Sequence, residues 1–335
     1  MASPRLKSFA NKAHNGQSFG LAEQHVQDTG SKMMQPVNTP LILYIPGLLP
    51  KPEAEVHKAA LFRCLIEGVR KAEPDVAELI SANSNSFDLV SWTYDFYLEH
   101  RDIALDAAAI DAVLEQQQAS EADILEASST IRRVTVGLYR LGDLVPFLIP
   151  HLATERTEVH IRDLRRYARN RNGIAEHTRE MLKVPLRAAC ESGRPILLVA
   201  HSMGSVIAYD SLWEMSHGGR DRARVDHLLT IGSPLGQNYL QKRIFGHEQT
   251  GDARYPDNIR RWTNIAAVGE LTAIDPVLRN DFVEMLERGL VESIEDIEVF
   301  NFFRLDGRLN VHAEYGYLAN ETTGRVIADW WLEHL

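Results

Sequence analysis

The segment PILLVAHSMGSVIAY, residues 195–209, constrains the fold more than any other part of the chain. An unbroken apolar run ends just before Ser202, and a helical pattern begins directly after it. A buried strand that enters a helix through so short a link needs a sharp turn, and small residues on either side of the turn let the two elements approach closely. We therefore expect a strand at Pro195–Ala200, a strained turn at Ser202 and a helix at Gly204–Met215.

Ser202 lies in a G-x-S-x-G pattern in which Ala200 takes the place of the first glycine. At such a turn the serine hydroxyl projects from the carboxyl edge of the sheet. The N–H group of Met203 then lies at a helix N-terminus, where negative charge is stabilised. Attack by Ser202 on a carbonyl group creates an oxyanion that this N–H group can bind. The alternative role for Ser202 is a helix cap, but the strand–turn–helix context favours a nucleophile.

Strand and helix patterns alternate along much of the chain. Short apolar runs predict five further strands, at Leu41–Ile45, Asp88–Tyr94, Val225–Ile231, Arg261–Val268 and Ile297–Phe303. Helical spacing predicts a helix at Glu53–Lys71 and a last helix at Gly324–His334. Six apolar strands joined by helices predict an α/β fold with a mainly parallel central sheet and helices on both faces.

The interval 101–190 contains no convincing strand pattern. Its helical patterns cover Ile103–Gln118, Ala122–Tyr139 and Thr157–Ala189, which is more than a normal crossover between parallel strands requires. We therefore predict a largely helical cap insertion at 101–190 within one domain at 39–335. The polar residues 1–38 are predicted to form a flexible N-terminal arm.

A nucleophilic serine of this kind is followed along the chain by an acid and then by a histidine. Beyond residue 260 the histidines are His312 and His334, and His334 is the penultimate residue of the chain. His312 follows the strand predicted at Ile297–Phe303, at the sheet edge where a general base must lie to reach Ser202. The alternative is a structural loop histidine, but its position favours the base.

The sequence patterns that point to the acid and to the second oxyanion donor are less specific than the pattern around Ser202. Glu270 directly follows the strand predicted at Arg261–Val268, whereas Asp275 precedes a proline and has the pattern of a turn residue. Glu270 is favoured, and Asp275 stays open. After the first strand, Gly47 permits close backbone approach and leaves the N–H group of Leu48 as an oxyanion donor. An ordinary Pro-Gly turn is the alternative there.

With these residues placed, the chain resembles the α/β-hydrolase superfamily over residues 40–335 in element order. It is most similar to the bacterial lipase- and esterase-like branch with an Ala-His-Ser-Met-Gly elbow. The first loop of that branch often contains His-Gly, where this chain has Pro46-Gly47. Further matches to the branch are Trp262, Asn264, Gly269-Glu270 (with Glu in place of Asp), His312, Tyr315, Tyr317 and Leu318. The resemblance implies ester hydrolysis without a cofactor.

The residues and the resemblance together predict a serine carboxylic-ester hydrolase with the triad Ser202, Glu270 and His312. The N–H groups of Leu48 and Met203 would form its oxyanion hole, and an acyl-enzyme on Ser202 would be released by water. A thioesterase or acyltransferase with the same triad is the nearest alternative. A non-catalytic α/β-hydrolase fold used as an interaction module is a further one.

Net charge, residue spacing and absent motifs argue against several other functional classes. The net charge of −10 disfavours nucleic acid as the main partner. Cys64 and Cys190 lie in helical patterns outside any CxxC pair, as expected for free thiols. The histidines lack metal-ligand spacing and no nucleotide-binding motif is present, so we expect no metal and no cofactor. The absence of a signal-peptide pattern and of a long apolar stretch predicts a cytoplasmic protein. Its oligomeric state is not predicted.

Two features of the cap bear on membrane contact. The stretch Thr135–Leu152 is apolar and is predicted either to pack on the core or to cover the site and meet lipid. A cluster of arginines either binds phosphate or anionic lipid headgroups, or forms a solvated helix face balanced by the acidic remainder. Its members are Arg162, Arg165, Arg166, Arg169 and Arg171. A small-molecule or lipid ester is the expected substrate, and peripheral membrane contact through the cap is one predicted interaction.

Overall fold

A computed structural model describes residues 39–129, 132, 135, 155–219, 223–273 and 275–335, without the side chains of residues 155–161. The predicted N-terminal arm, residues 1–38, and most of the apolar stretch Thr135–Leu152 lie outside the described residues.

The central sheet contains six parallel strands in the order β2-β1-β3-β4-β5-β6. Their bounds are β1 Leu41–Ile45, β2 Phe87–Leu89, β3 Ile196–His201, β4 Val225–Ile231, β5 Ile259–Ala267 and β6 Ser293–Val299. A short antiparallel pair follows, β7 Arg304–Leu305 and β8 Arg308–Leu309. The strand order reverses between β1 and β3, and the crevice at the carboxyl ends of strands at such a reversal is where open α/β sheets bind ligands.

Thirteen α-helices are assigned among the described residues. Before β3 they are α1 Ala54–Ala72, α2 Pro74–Ser81, α3 Thr93–Tyr97, α4 Ala104–Glu115, α5 Glu121–Ala127, α6 Glu155–Ala168 and α7 Ile174–Glu191. After β3 they are α8 Met203–His217, α9 Asn238–Gln241, α10 Leu278–Asp281, α11 Val283–Glu287, α12 Glu314–Leu318 and α13 Glu321–Leu332. No helix in the described part of the chain is long and apolar enough to cross a membrane.

Both faces of the sheet are buried, because successive residues of β1 and β3 point to opposite sides. Leu43 and Leu198 pack on one side with residues of α7 and α8, such as Leu186 and Val206. Ile42, Tyr44, Leu197 and Val199 pack on the other side with residues of α1 and α13, such as Leu61 and Trp331. The predicted α/β fold with a parallel sheet and helices on both faces is therefore confirmed.

Two predicted strands differ from the structure. The strand expected at Asp88–Tyr94 ends at Leu89, and its last two residues, Thr93 and Tyr94, belong to α3. Between strand and helix, the buried indole of Trp92 donates to the carbonyl of Pro46 at 2.9 Å. The strand expected at Ile297–Phe303 is shifted toward the N-terminus, to Ser293–Val299. Beyond it, the side chain of Asn301 accepts from the N–H of Phe303 and donates to the carbonyl of Ala313, in place of sheet pairing.

The described residues between β2 and β3 form helices, and the extent of the predicted cap at 101–190 stays a prediction. The single helix expected at Thr157–Ala189 is interrupted between α6 and α7, where Asn170, Asn172 and Gly173 all have positive φ. Only short polar residues and glycine adopt this conformation readily. Helix α7 then packs against β3 and α8, as a crossover helix does.

Asp210 on α8 is a buried carboxyl group in the packing between helices. It accepts hydrogen bonds from the hydroxyl of Tyr167 on α6, at 3.0 Å, and from the N–H of Phe245, at 2.9 Å. Burial raises its pKa from an ordinary 3.8 to about 7. The folded protein therefore holds this proton more tightly than the unfolded chain, and the stability from this site falls as the pH rises toward 7.

We expect Asp210→Asn to remove this pH dependence, because the amide stays neutral. Between about pH 5 and pH 8, the free energy of unfolding of the wild type should fall by about 3 kcal/mol relative to the variant. Urea unfolding at both pH values measures the difference. Asp329→Asn, at an exposed position on α13, is the control and should follow the wild type. Parallel profiles for the wild type and Asp210→Asn would show that Asp210 ionises normally.

Candidate active site

Ser202 lies in the sharp turn between β3 and α8, as the sequence predicts. Its φ of +52° and ψ of −124° are rare for a residue with a side chain. Gly204 permits this turn, because a Cβ atom there would lie 2.5 Å from the carbonyl oxygen of Ile45. Ser202 occupies the N-cap position of α8, but its side chain makes no capping bond to the helix, so its hydroxyl is not used as a cap.

His312 lies beside Ser202 in the loop after β8. Its Nε2 atom is 2.9 Å from the Oγ atom of Ser202. Two hydrogen bonds hold the backbone of this residue. The N–H of His312 donates to the side chain of Asn310 at 3.2 Å, and the carbonyl of His312 accepts from Nε2 of His201 at 3.0 Å. The structure thus brings the candidate base and the candidate nucleophile into hydrogen-bond contact.

Glu270 contacts the far side of the same imidazole. Its Oε1 atom bonds to Nδ1 of His312, and its Oε2 atom accepts from the hydroxyl of Tyr317. That hydroxyl in turn accepts from the N–H of Ala267, at 2.7 Å. Asp275 instead accepts from the N–H of Val277 in an exposed turn. Of the two candidate acids, the one in contact with His312 is therefore Glu270.

Gly232, which follows β4, is a residue that the sequence analysis missed. It has a φ of +56°, and a Cβ atom at this position would lie 3.0 Å from Oε1 of Glu270 and 3.1 Å from Nδ1 of His312. A side chain here would press on the contact between acid and base. The only signal in the sequence is a glycine immediately after a buried strand.

The loop after β1 packs directly against the elbow. A Cβ atom at Gly47 would lie 2.7 Å from Cβ of Ser202, so only glycine lets the backbone come this close. The N–H of Leu48 has no hydrogen-bond acceptor among the described residues. The N–H of Met203 belongs to the first turn of α8, where the helix supplies no acceptor. Leu48 directly follows Gly47 and Met203 directly follows Ser202, so both predicted oxyanion donors belong to backbone next to Ser202, and neither N–H group is committed to an acceptor within the described residues.

Trp92, which precedes α3, and residues of α3 and α6 hold this loop in place. Its start is fixed by the indole bond from Trp92 to the carbonyl of Pro46. Its end is fixed by Leu49, whose φ is +76° and whose N–H donates to the hydroxyl of Tyr97 at 3.1 Å. That hydroxyl donates onward to the buried carboxylate of Asp163 on α6, at 3.0 Å. None of these contacts was predicted from the sequence.

A buried ionic cluster lies next to the loop that carries His312. Glu314 pairs with Nζ of Lys51 at 2.7 Å and bonds to Nε2 of His57 and the hydroxyl of Tyr44, each at 3.1 Å. Burial alone would raise the pKa of Glu314. The charge of Lys51 and the contact with His57 outweigh burial and hold the pKa of Glu314 well below its ordinary value. The sequence analysis did not single out Glu314.

His201 connects this cluster to His312. Its Nε2 must carry a hydrogen because its partner, the carbonyl of His312, can only accept. Its Nδ1 lies 3.7 Å from Glu314. Burial, with a further effect from His312, lowers the pKa of His201 well below its ordinary value. His201 is therefore a neutral donor that holds the backbone of the candidate base.

Within the described residues, no group of three or more His, Cys, Asp or Glu side chains is arranged to hold a metal ion. Comparisons of the chain with protein-family models, with curated proteins and with solved structures find no match.

The buried pair predicts a large cost for removing Lys51. In the Lys51→Met variant, Glu314 keeps a buried charge without its cation, and the free energy of unfolding should fall by about 3 kcal/mol. Lys58→Met is the matched control, because Lys58 pairs with Asp88 at 2.9 Å at the surface and should cost less than about 1 kcal/mol. Denaturant unfolding measures both.

The double variant Lys51→Met, Glu314→Gln should recover much of this loss, because it removes the unpaired charge. Equal costs for Lys51→Met and Lys58→Met would show that the Glu314 cluster does not depend on Lys51.

Proposed function

We propose that the protein is a serine hydrolase of the α/β-hydrolase type that cleaves carboxylic esters through an acyl-enzyme on Ser202. The observation that carries the proposal is the continuous contact from Oγ of Ser202 to His312 and from His312 to Glu270. A nucleophile, a base and an orienting acid in this order are the parts that acyl transfer requires.

In the first half of the proposed reaction, Oγ of Ser202 attacks the ester carbonyl carbon while Nε2 of His312 takes the hydroxyl proton. Glu270 accepts from Nδ1–H, which selects the productive tautomer and stabilises the imidazolium. The developing oxyanion accepts hydrogen bonds from the N–H groups of Leu48 and Met203. His312 then gives its proton to the leaving alcohol, and the acyl group stays on Ser202.

In the second half, water attacks the acyl-enzyme and His312 takes a proton from it. The second oxyanion collapses, the acid leaves, and the proton returns to Oγ of Ser202. The positive φ of Ser202 supports this proposal further, because a strained residue is retained where the surroundings enforce it, often at a reacting centre. The position of Ser202 beside the reversal of strand order supports it as well.

We expect Ser202→Ala to reduce hydrolysis of p-nitrophenyl esters, tested from short to long acyl chains, by roughly 10⁴-fold or more. The reason is that, among the described residues, Ser202 supplies the only hydroxyl or thiol in hydrogen-bond contact with the ring of His312. Ser211→Ala is the matched control, because Ser211 lies on the same helix and its hydroxyl bonds to the carbonyl of Ile207. It should keep wild-type turnover.

Product analysis with added alcohol separates hydrolysis from acyl transfer to another acceptor. If the wild type cleaves no ester and a fluorophosphonate probe does not label Ser202, the proposal fails and the interaction-module alternative takes its place.

A further inference from the structure

The arginine cluster forms one exposed row on the surface. Arg162, Arg165, Arg166 and Arg169 follow the spacing i, i+3, i+4, i+7, and all four side chains are exposed. The N–H of Arg169 still bonds to the carbonyl of Arg165, so the helical turn continues to this point. Arg171 follows, also exposed, and we call these five residues the arginine face. Asp163 and Tyr167 lie on the buried side of the same helix.

Acidic residues do not balance the arginine face. Within the described part of the chain, Arg162 pairs with Asp163, but no carboxylate pairs with the other four arginines. The sequence contains no Asp or Glu from Leu164 to Ala175, although the whole chain carries a net charge of −10. Like charges at this spacing repel one another. The other predicted alternative, a solvated helix face balanced by the acidic remainder of the chain, is therefore not supported by ion pairs among the described residues at four of the five arginines.

Apolar side chains are exposed beside this positive charge. The guanidinium of Arg166 lies 4.1 Å from the centre of the Phe96 ring on α3, which holds it in place. Leu98, which directly follows helix α3, is 75% exposed and has a φ of +61°. Tyr94, on the same helix, is also exposed. Leu98 lies two residues beyond Phe96, the ring that Arg166 contacts, and an exposed leucine close in sequence to such a contact is a combination that favours a membrane interface.

This region is adjacent to the candidate site. The hydroxyl of Tyr97 donates to Asp163 on α6, the helix that carries most of the arginine face, and accepts from the N–H of Leu49 in the loop beside Ser202. Leu49 itself is 43% exposed. Arginines and exposed leucines therefore lie on neighbouring elements that also hold the candidate oxyanion loop.

We propose that the arginine face docks the protein on an anionic phospholipid bilayer, with Leu98 and Leu49 entering the headgroup layer. Guanidinium groups bind phosphate in two-point geometry. The row from Arg162 to Arg169 is about 10 Å long at 1.5 Å per residue, so it meets several headgroups rather than one phosphate. Apolar side chains at its edge contact acyl chains, which a soluble polyanion does not offer. This proposal does not depend on ester hydrolysis, because binding alone tests it.

The test is co-sedimentation of the full chain with phosphatidylcholine vesicles, with and without phosphatidylglycerol. We expect binding only to the phosphatidylglycerol vesicles, and weaker binding as salt increases. The triple variant Arg165→Gln, Arg169→Gln, Arg171→Gln should bind about 100-fold more weakly, from the usual contribution of each cation near an anionic surface.

A second triple variant, Arg63→Gln, Arg224→Gln, Arg288→Gln, is the matched control. It changes the net charge equally, at exposed arginines that pair with Asp or Glu, and should bind like the wild type. Circular dichroism and thermal unfolding check that both variants fold.

Four results would overturn the proposal. The first is a wild type that does not bind phosphatidylglycerol vesicles, and the second is equal binding of the two triple variants. The third is displacement of the protein by millimolar inorganic phosphate at constant ionic strength, which would indicate a site for a single phosphate. The fourth is self-association of the wild type through the arginine face, seen by sedimentation velocity and abolished in the first triple variant. Hydrolysis of a short soluble ester by each variant is measured in parallel, so that loss of docking is distinguished from failure of the proposed function.

Discussion

The backbone of Ser202 is held at a φ of +52° by close packing of three elements. Strand β3 enters the turn and α8 leaves it. Gly204 lies so close to the end of β1 that a methyl group would contact the Ile45 and Pro46 carbonyls. Gly47, in the loop that follows β1, lies so close to Ser202 that a Cβ atom would be 2.7 Å from the Cβ atom of Ser202. This packing positions the hydroxyl of Ser202 and brings the backbone that precedes Leu48 close to it. Strain of this kind persists only where the surroundings over-determine it.

The position of His312 depends on a second constraint, which comes from buried polar groups. His201 donates to the backbone carbonyl of His312. The hydroxyl of Tyr317 donates to the carboxylate of Glu270 and so holds that carboxylate against the imidazole ring of His312. Beneath them, Glu314 keeps its charge because Lys51 and His57 surround it. Burying a charge costs desolvation free energy unless the charge is paired, so the stability of this cluster depends on its pairing. It accounts for how a loop after a short hairpin holds an imidazole at a defined distance from Ser202.

Local pattern was enough to predict much of the fold, because the strands buried on both faces are continuous apolar runs. Strands β1 and β4 lie where they were expected, and the expected strands at β3 and β5 differ at their ends by one or two residues. At the edge of the sheet the apolar pattern predicted wrong bounds for β6. This strand begins with mostly polar residues, and the apolar residues after it pack without sheet pairing. Ser202, Glu270 and His312 were predicted from chain order and strand ends. Gly232, Tyr97 and Glu314 were not, because their contacts come from residues distant in sequence.

The central proposal is that Ser202 is a nucleophile and that the N–H groups of Leu48 and Met203 bind the oxyanion it creates. The most direct measurement is a crystal structure of the protein after reaction with a fluorophosphonate. We expect phosphorus bonded to Oγ of Ser202, with its oxygen about 2.7–3.1 Å from both backbone nitrogen atoms. An adduct on another residue, or a phosphoryl oxygen directed away from both N–H groups, would contradict the account.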